Sequence, residues 1–131
     1  MYIAIDFDGT CVTHEYPEVG KDIGAVPVLK RLVENGHKLI LHTMRGEPKK
    51  GGDRNTIQEA VEWFKENDIP LFGINHNKMQ TYWTTSKKVY ANLYIDDAAL
   101  GAPLIINSAL SDRPFIDWGR VEQILIQMGL I

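Results

Sequence analysis

The sequence contains little cysteine and no long apolar segment. Cys11 is its only cysteine, so no internal disulfide can form. No apolar run approaches the roughly 20 residues that a membrane-spanning helix requires, and no basic segment followed by a long apolar one precedes the first strand-like residues. These absences exclude a disulfide-stabilised scaffold and a transmembrane protein. We expect a soluble protein of the reducing cytoplasm that does not associate with membranes.

The net charge is also small, and the composition is not that of a disordered protein. The formal net charge is -3, which provides no long-range attraction for nucleic acid or an anionic membrane. Apolar residues make up 44% of the 131 residues and charged residues 24%, which is typical of globular proteins. The length suits one domain over residues 1–131, and we find no internal repeat or linker.

Short apolar segments alternate with segments of helical periodicity. The predicted strands are residues 2–7, 38–44, 71–74, 93–95 and 104–106. The predicted helices have three apolar faces, formed by Val26, Leu29, Leu32 and Val33, by Ile57, Ala60, Val61 and Phe64, and by Val121, Ile124, Leu125 and Met128. Thr56 and Glu59 have the spacing of a capping box at the start of the second helix. The alternation predicts an α/β domain with a parallel sheet covered on its faces.

Two acidic pairs follow predicted strands. Asp6 and Asp8 end the first strand, and Asp96 and Asp97 end the fourth. Clustered carboxylates at a buried position are costly unless a cation lies between them. Mg²⁺ prefers oxygen ligands, so neighbouring first and fourth strands would form a magnesium site. The alternatives are a turn-capping role for the first pair and a helix N-cap with a first-turn acid for the second.

Two further residues lie where an anion could be held. Thr43 ends the second predicted strand, where its hydroxyl can donate a hydrogen bond. Lys88 precedes Asp96 by eight residues and could reach the same edge of the sheet. Threonine is also common in strands, and Lys88 is otherwise a surface lysine. The four histidines lack the spacing of a zinc site and are expected to be exposed or hydrogen-bonded; they are His14, His37, His42 and His76.

The order of these residues resembles the haloacid dehalogenase superfamily of phosphotransferases. The segment Asp6-Phe7-Asp8-Gly9-Thr10 is similar to the first motif, Thr43 to the second, Lys88 to the third and Asp96-Asp97 to the fourth. The resemblance implies a Rossmann-like three-layer domain with a mainly parallel five-stranded sheet in the order 3-2-1-4-5. Only 32 residues separate Thr10 from Thr43, so no cap domain fits between them.

The resemblance implies a phosphomonoester hydrolase that works through an aspartyl phosphate. Asp6 would be the nucleophile and Asp8 the general acid and base, while Thr43 and Lys88 would hold the phosphoryl oxygens. The implied Mg²⁺ ligands are Asp6, Asp96 and Asp97, together with Asp8 through its main-chain carbonyl. The implied substrate-binding residues are Gly9, Thr43, Met44, Arg45 and Lys88.

The expected partner is a small phosphorylated molecule, and nucleic acid is not indicated by the charge. A site without a cap is open to a neighbouring subunit, so a homo-oligomer is a further expectation.

Two other functions stay open. A catalytically silent domain would use the same pocket to bind metal, phosphate or a protein partner. A receiver domain would be phosphorylated at the end of its third strand, where this chain has Asn75-His76-Asn77.

Overall fold

Four short strands form a parallel sheet at the centre of the structure. The structure is a computed structural model that describes residues 1–131. The strands are β1 (Tyr2–Ile5), β2 (Lys38–Leu41), β3 (Gly73–Ile74) and β4 (Leu93–Ile95), in the order β3-β2-β1-β4. Ile5 lies beside Leu41 on one side and Ile95 on the other. The residues that follow β1, β2 and β4 therefore meet at one edge of the sheet.

The predicted order of the first four strands is confirmed, but the fifth parallel strand is wrong. β5 (Leu104–Ile105) pairs antiparallel with β6 (Phe115–Ile116) in a separate two-stranded sheet. A parallel neighbour of β4 would need a crossover of about a dozen or more residues, and only residues 96–103 lie between β4 and β5. Because this connection is too short, β5 pairs with the strand that follows it.

Three α-helices lie where the apolar periodicity predicts them. They are α1 (Ala25–Glu34), α2 (Thr56–Glu66) and α3 (Trp118–Gln127). None combines the length and apolar character that crossing a bilayer requires. The N-cap of α2 is Asn55, whose side chain accepts a hydrogen bond from the Gln58 amide. The predicted capping box at Thr56 is therefore wrong by one position, and the Thr56 hydroxyl instead bonds to the main chain of Gly46.

All three helices cover the same face of the sheet. Ile3 and Ile5 of β1 point to one side because alternate strand residues share a face. They belong to one buried cluster with Leu29 of α1, Phe64 of α2 and Leu125 of α3. This cluster forms the main hydrophobic core, and burial of its apolar surface is the chief source of stability.

A segment without an α-helix covers the other face. The connection between β3 and β4, residues 75–92, contains only a 3₁₀ helix (Lys78–Tyr82). On this face Ala4 is 1% exposed, and the Tyr2 ring contacts Tyr90 at a centroid distance of 6.0 Å. The segment has no apolar repeat of helical period, which explains why it forms no α-helix. The layers are therefore helices, sheet and an irregular segment.

Candidate active site

A cavity of about 440 Å³ lies at the edge where β1, β2 and β4 end. Main-chain bonds continue the sheet past the strand ends, since the Asp6 amide donates to the Ile95 carbonyl at 3.0 Å and the His42 amide to the Ile5 carbonyl at 2.8 Å. Asp6 and other residues that follow these three strands line the cavity. Ligands of parallel α/β sheets bind at this edge.

Three carboxylates converge in this cavity. Asp6, Asp96 and Asp97 each offer an oxygen atom, and these oxygens lie within 4.8 Å of one another. The Thr10 hydroxyl donates to Asp6 Oδ2 at 2.8 Å and accepts from the Asp97 amide at 3.0 Å. Thr10 thus orients carboxylates from the ends of two strands. We call Asp6, Asp96 and Asp97 the acidic triad.

The surroundings of the acidic triad disfavour the ionised form of Asp6. Desolvation is the main cause that raises the pKa of Asp6 to about 8, and a hydrogen bond with Asp97 raises it further. The Thr10 hydroxyl acts in the opposite direction. A cation among the carboxylates would favour the ionised form of Asp6. The donors are carboxylate oxygens, so the triad fits a hard divalent cation such as Mg²⁺.

The start of the C-terminal helix anchors the loop that carries Thr10. The indole Nε1 of Trp118 donates to the Thr10 carbonyl at 2.7 Å, and Trp118 is 3% exposed. The Ile116 amide donates to the Gly9 carbonyl at 3.0 Å. These two hydrogen bonds hold the loop that follows β1 against the C-terminal segment. The C-terminal segment therefore supports the site.

Gly9 is required by both the backbone and the triad. Its φ angle is +81°, in the left-handed region that favours glycine. A Cβ atom at this position would overlap Oδ2 of the Asp97 carboxylate and lie 2.8 Å from its Cγ. The close approach of the loop to Asp97 therefore depends on the missing side chain.

We predict that Gly9→Ala is clearly more destabilising than Gly101→Ala. A left-handed conformation alone costs a non-glycine residue about 1–2 kcal/mol, and the clash with Asp97 adds to this. Gly101→Ala is the matched control, because Gly101 has φ +85° and nothing within 4 Å of its Cβ position. Urea unfolding of both variants measures the difference. Equal losses would show that Gly9 and Asp97 do not constrain each other.

Asp8 is outside the acidic triad and pairs with Arg45. Its two carboxylate oxygens accept from Arg45 Nε and Nη2, each at 2.8 Å. The Arg45 side chain is fully buried, and that of Asp8 is 11% exposed. Bidentate pairs of this kind are strong and geometrically specific.

The remaining N–H groups of Arg45 also have protein acceptors. They donate to the carbonyls of Pro17, Glu18 and Thr56. The guanidinium carbon of Arg45 is 5.1 Å from the centroid of the Phe7 ring and 5.2 Å from that of the Tyr16 ring. Arg45 therefore connects the first loop to the start of α2. The substrate-binding role implied by the resemblance would compete with these bonds.

No protein-family model matches the chain, and no curated protein matches it. A solved structure of a conserved protein from Bacteroides thetaiotaomicron is 32% identical in sequence. The match covers 98% of this chain and 91% of that one, with a TM-score of 0.74. The two proteins belong to one family. The similarity extends over nearly the whole chain, including the strands whose ends form the cavity.

Lys88 lies apart from the residues that line the cavity. Its ammonium group is 5.6 Å from the centroid of the Tyr94 ring, on the face opposite the helices. Thr43 and Met44 do line the cavity. The Thr43 hydroxyl accepts from the Arg45 amide at 3.1 Å, and Met44 is 98% exposed. Among the predicted phosphate ligands, Lys88 is the one that does not line the cavity.

Four residues that the sequence did not assign to the site line the same cavity, and two of them, besides Tyr16 and Ala98, have basic side chains. These two are His14, in the loop between β1 and α1, and Arg113, which precedes β6. Arg113 Nη1 and His14 Nδ1 are 3.3 Å apart. The expectation of a hydrogen-bonded His14 is met by this contact. Nothing in the spacing of residues 14 and 113 indicates their proximity, which the hairpin of β5 and β6 brings about.

Proposed function

We propose that the protein is a magnesium-dependent phosphomonoester hydrolase of the haloacid dehalogenase type, with Asp6 as the nucleophile. The convergence of the acidic triad carries this proposal, because three carboxylates within 4.8 Å suit a divalent cation beside an attacking carboxylate. The position of the cavity at the ends of parallel strands supports it.

The acidic triad would hold the Mg²⁺ ion. Bound there, the ion would offset the negative charges of the carboxylates and of the phosphate ester. Gly9 contributes by allowing the loop to approach Asp97, and Thr10 by orienting Asp6 and Asp97. These residues belong to the chain segments that follow β1 and β4, which hold them on a rigid support.

Asp6 would attack phosphorus through a carboxylate oxygen. A P–O bond to Asp6 forms while the bond to the leaving oxygen breaks, and water then hydrolyses the aspartyl phosphate. The Thr10 hydroxyl fixes one oxygen of Asp6 and so sets the direction of attack. Dividing one displacement into two steps lowers the barrier of each.

Asp8 would act chiefly as a base. Both of its oxygens accept hydrogen bonds from Arg45, an arrangement that suits an ionised carboxylate. An ionised Asp8 can take a proton from the water that attacks the aspartyl phosphate. Donation of a proton to the leaving group requires a protonated Asp8, so esters with good leaving groups are the favoured substrates in vitro.

A small phosphorylated molecule suits the cavity. The volume of the cavity, about 440 Å³, lies within the range of small-molecule sites. The cavity has no cap domain above it, and we propose that a second copy of the chain limits access to it. Light scattering of the active protein tests this oligomer.

The pairing of Asp8 with Arg45 favours one alternative function. A domain whose acid–base residue is held by a buried arginine could bind metal and phosphate without turnover. The alternative predicts magnesium-dependent phosphate binding with no hydrolysis of an aryl phosphate. The assay below separates the two functions.

We predict that Mg²⁺ supports hydrolysis of an aryl phosphate and that Ca²⁺ inhibits it. Ca²⁺ has longer and looser coordination, which would misplace Asp6 relative to phosphorus. The measurement is steady-state hydrolysis after metal removal, followed by addition of each ion. Asp97→Asn should weaken the response to Mg²⁺, whereas Asp112→Asn, at an exposed position outside the cavity, should not. Undiminished hydrolysis in excess chelator would rule out a metal-dependent site.

A further inference from the structure

Arg113 is a cation of the cavity that lacks an ion-pair partner. The other cation that lines the cavity is Arg45, which pairs with Asp8. Arg113 forms no salt bridge anywhere in the structure. Its side chain has one hydrogen-bond partner, His14, with Nη1 and Nδ1 3.3 Å apart. An arginine in this position has most of its N–H groups available for a ligand.

The contact with Arg113 determines which nitrogen of His14 carries hydrogen. A guanidinium has only donors, so His14 Nδ1 is the acceptor in this pair. A neutral His14 then carries its hydrogen on Nε2. The two side chains therefore present donors to the cavity. A planar guanidinium beside an imidazole N–H suits an anionic oxygen group such as a carboxylate or phosphate.

Contacts between two loops hold these side chains together. The Ser111 hydroxyl donates to Glu15 at 3.2 Å, and it accepts from the Arg113 amide at 3.4 Å. Lys21 Nζ donates to the Leu110 carbonyl at 2.7 Å. The loop before β6 is thereby attached to the segment that carries His14. These hydrogen bonds keep Arg113 close to His14.

We propose that Arg113 and His14 bind a second anionic group of the substrate, while the acidic triad faces the phosphoryl group. The inference rests on the proposed function for its choice of phosphate esters. The triad contributes negative charge and suits a cation, whereas the pair at Arg113 contributes positive charge and donors. A cavity with a metal-binding region and a separate cationic region favours a phosphomonoester whose leaving group carries a carboxylate or a further phosphate.

The test compares two esters that differ in one anionic group. Wild-type protein with Mg²⁺ should hydrolyse 4-carboxyphenyl phosphate with a kcat/KM about 10- to 100-fold above that of phenyl phosphate, the range expected for hydrogen bonds to a charged group. Arg113→Ala should remove this preference, because it should lower kcat/KM for 4-carboxyphenyl phosphate by about 10- to 100-fold more than kcat/KM for phenyl phosphate. Arg120→Ala is the charge-matched control, because Arg120 contacts Gln123 and lies outside the cavity. An equal loss with both esters in Arg113→Ala would overturn the inference.

Binding of the corresponding phosphonates separates this inference from the proposed function. Calorimetry with Mg²⁺ should show tighter binding of 4-carboxyphenylphosphonate than of phenylphosphonate, and Arg113→Ala should abolish the difference. If this pattern holds while neither phosphate is hydrolysed, the anion site stands and the proposed hydrolase is wrong. Equal binding of the two phosphonates by the wild type, or binding of neither, would overturn the anion site.

Discussion

Replacing Asp6 by Asn should abolish phosphoryl transfer, because an amide is a poor nucleophile. Loss of a covalent nucleophile lowers kcat by about 10⁴-fold or more. The substitution keeps the shape of the side chain and leaves Asp96 and Asp97 in place. Rapid-quench measurements with labelled aryl phosphate should show phosphate trapped on the wild-type protein and none on Asp6→Asn. Hydrolysis by Asp6→Asn at the wild-type rate would mean that another group attacks phosphorus.

Asp8→Asn is the matched comparison, since it removes acid–base capacity and keeps the nucleophile. Asp6 should still attack an ester with a good leaving group, which needs no proton. Hydrolysis of the aspartyl phosphate should slow by about 10²- to 10⁴-fold. The expected time course is a burst of product followed by slow turnover. A variant with neither burst nor trapped label would place Asp8 in the first step as well.

Stability shows whether the Asp6→Asn protein is folded. The pKa of Asp6 is raised from 3.8 to about 8, so between these values the folded protein holds a proton that the unfolded chain releases. The stability present below pH 3.8 is therefore lost as pH rises toward 8. In chelator at pH 8, Asp6→Asn should be more stable than wild type by several kcal/mol, and at pH 4 the two should be nearly equal in stability. Urea unfolding at both pH values measures this.

Replacing Arg45 by Met should destabilise the protein by about 3–5 kcal/mol, the cost of breaking a buried ion pair by removing one partner. The Arg45 side chain is fully buried, and Asp8 would be left with no guanidinium to accept from. The carbonyls of Pro17, Glu18 and Thr56 would each lose one donor, although Pro17 keeps the one from Arg54. Urea unfolding measures the loss, with the slope of the transition as a check on two-state behaviour.

Arg54→Met is the matched control for Arg45→Met. Arg54 pairs with Glu18 and Glu59, but its side chain is 41% exposed. Exposed ion pairs contribute at most about 1 kcal/mol. The double variant Asp8→Asn with Arg45→Met should lose less stability than the sum of the two single variants, because each single change leaves one buried partner without the other. A cost of Arg45→Met no larger than that of Arg54→Met would show that the pair is not structurally important.

The sequence predicts those parts of the fold that depend on local periodicity. The apolar repeat from Val26 to Val33 appears as α1 (Ala25–Glu34), and the apolar run predicted over residues 38–44 appears as the shorter β2 (Lys38–Leu41). The run over residues 104–105 also forms a strand, but periodicity does not specify a pairing partner. Pairing depends on the length of the connections, which here allows only an antiparallel return to β6.

The same division applies to the candidate site. Asp6, Asp96 and Asp97 follow buried strands, so the order of neighbouring strands is enough to bring them together. The Arg45 pair with Asp8 joins side chains 37 residues apart, and Arg113 lies 99 residues from His14. Such contacts depend on how loops fold over the edge of the sheet. No periodic pattern in a sequence encodes that arrangement.

The bond between Trp118 and Thr10 implies an order of events during synthesis. It joins residues 108 positions apart, and Thr10 in turn orients Asp6 and Asp97. A chain made from its N-terminus exposes the segment with Asp6 long before the segment with Trp118 exists. Contacts of such large sequence separation are also slow to form. A nascent chain would therefore carry its acidic residues without a fixed geometry, and binding competence would begin only when the last helix docks.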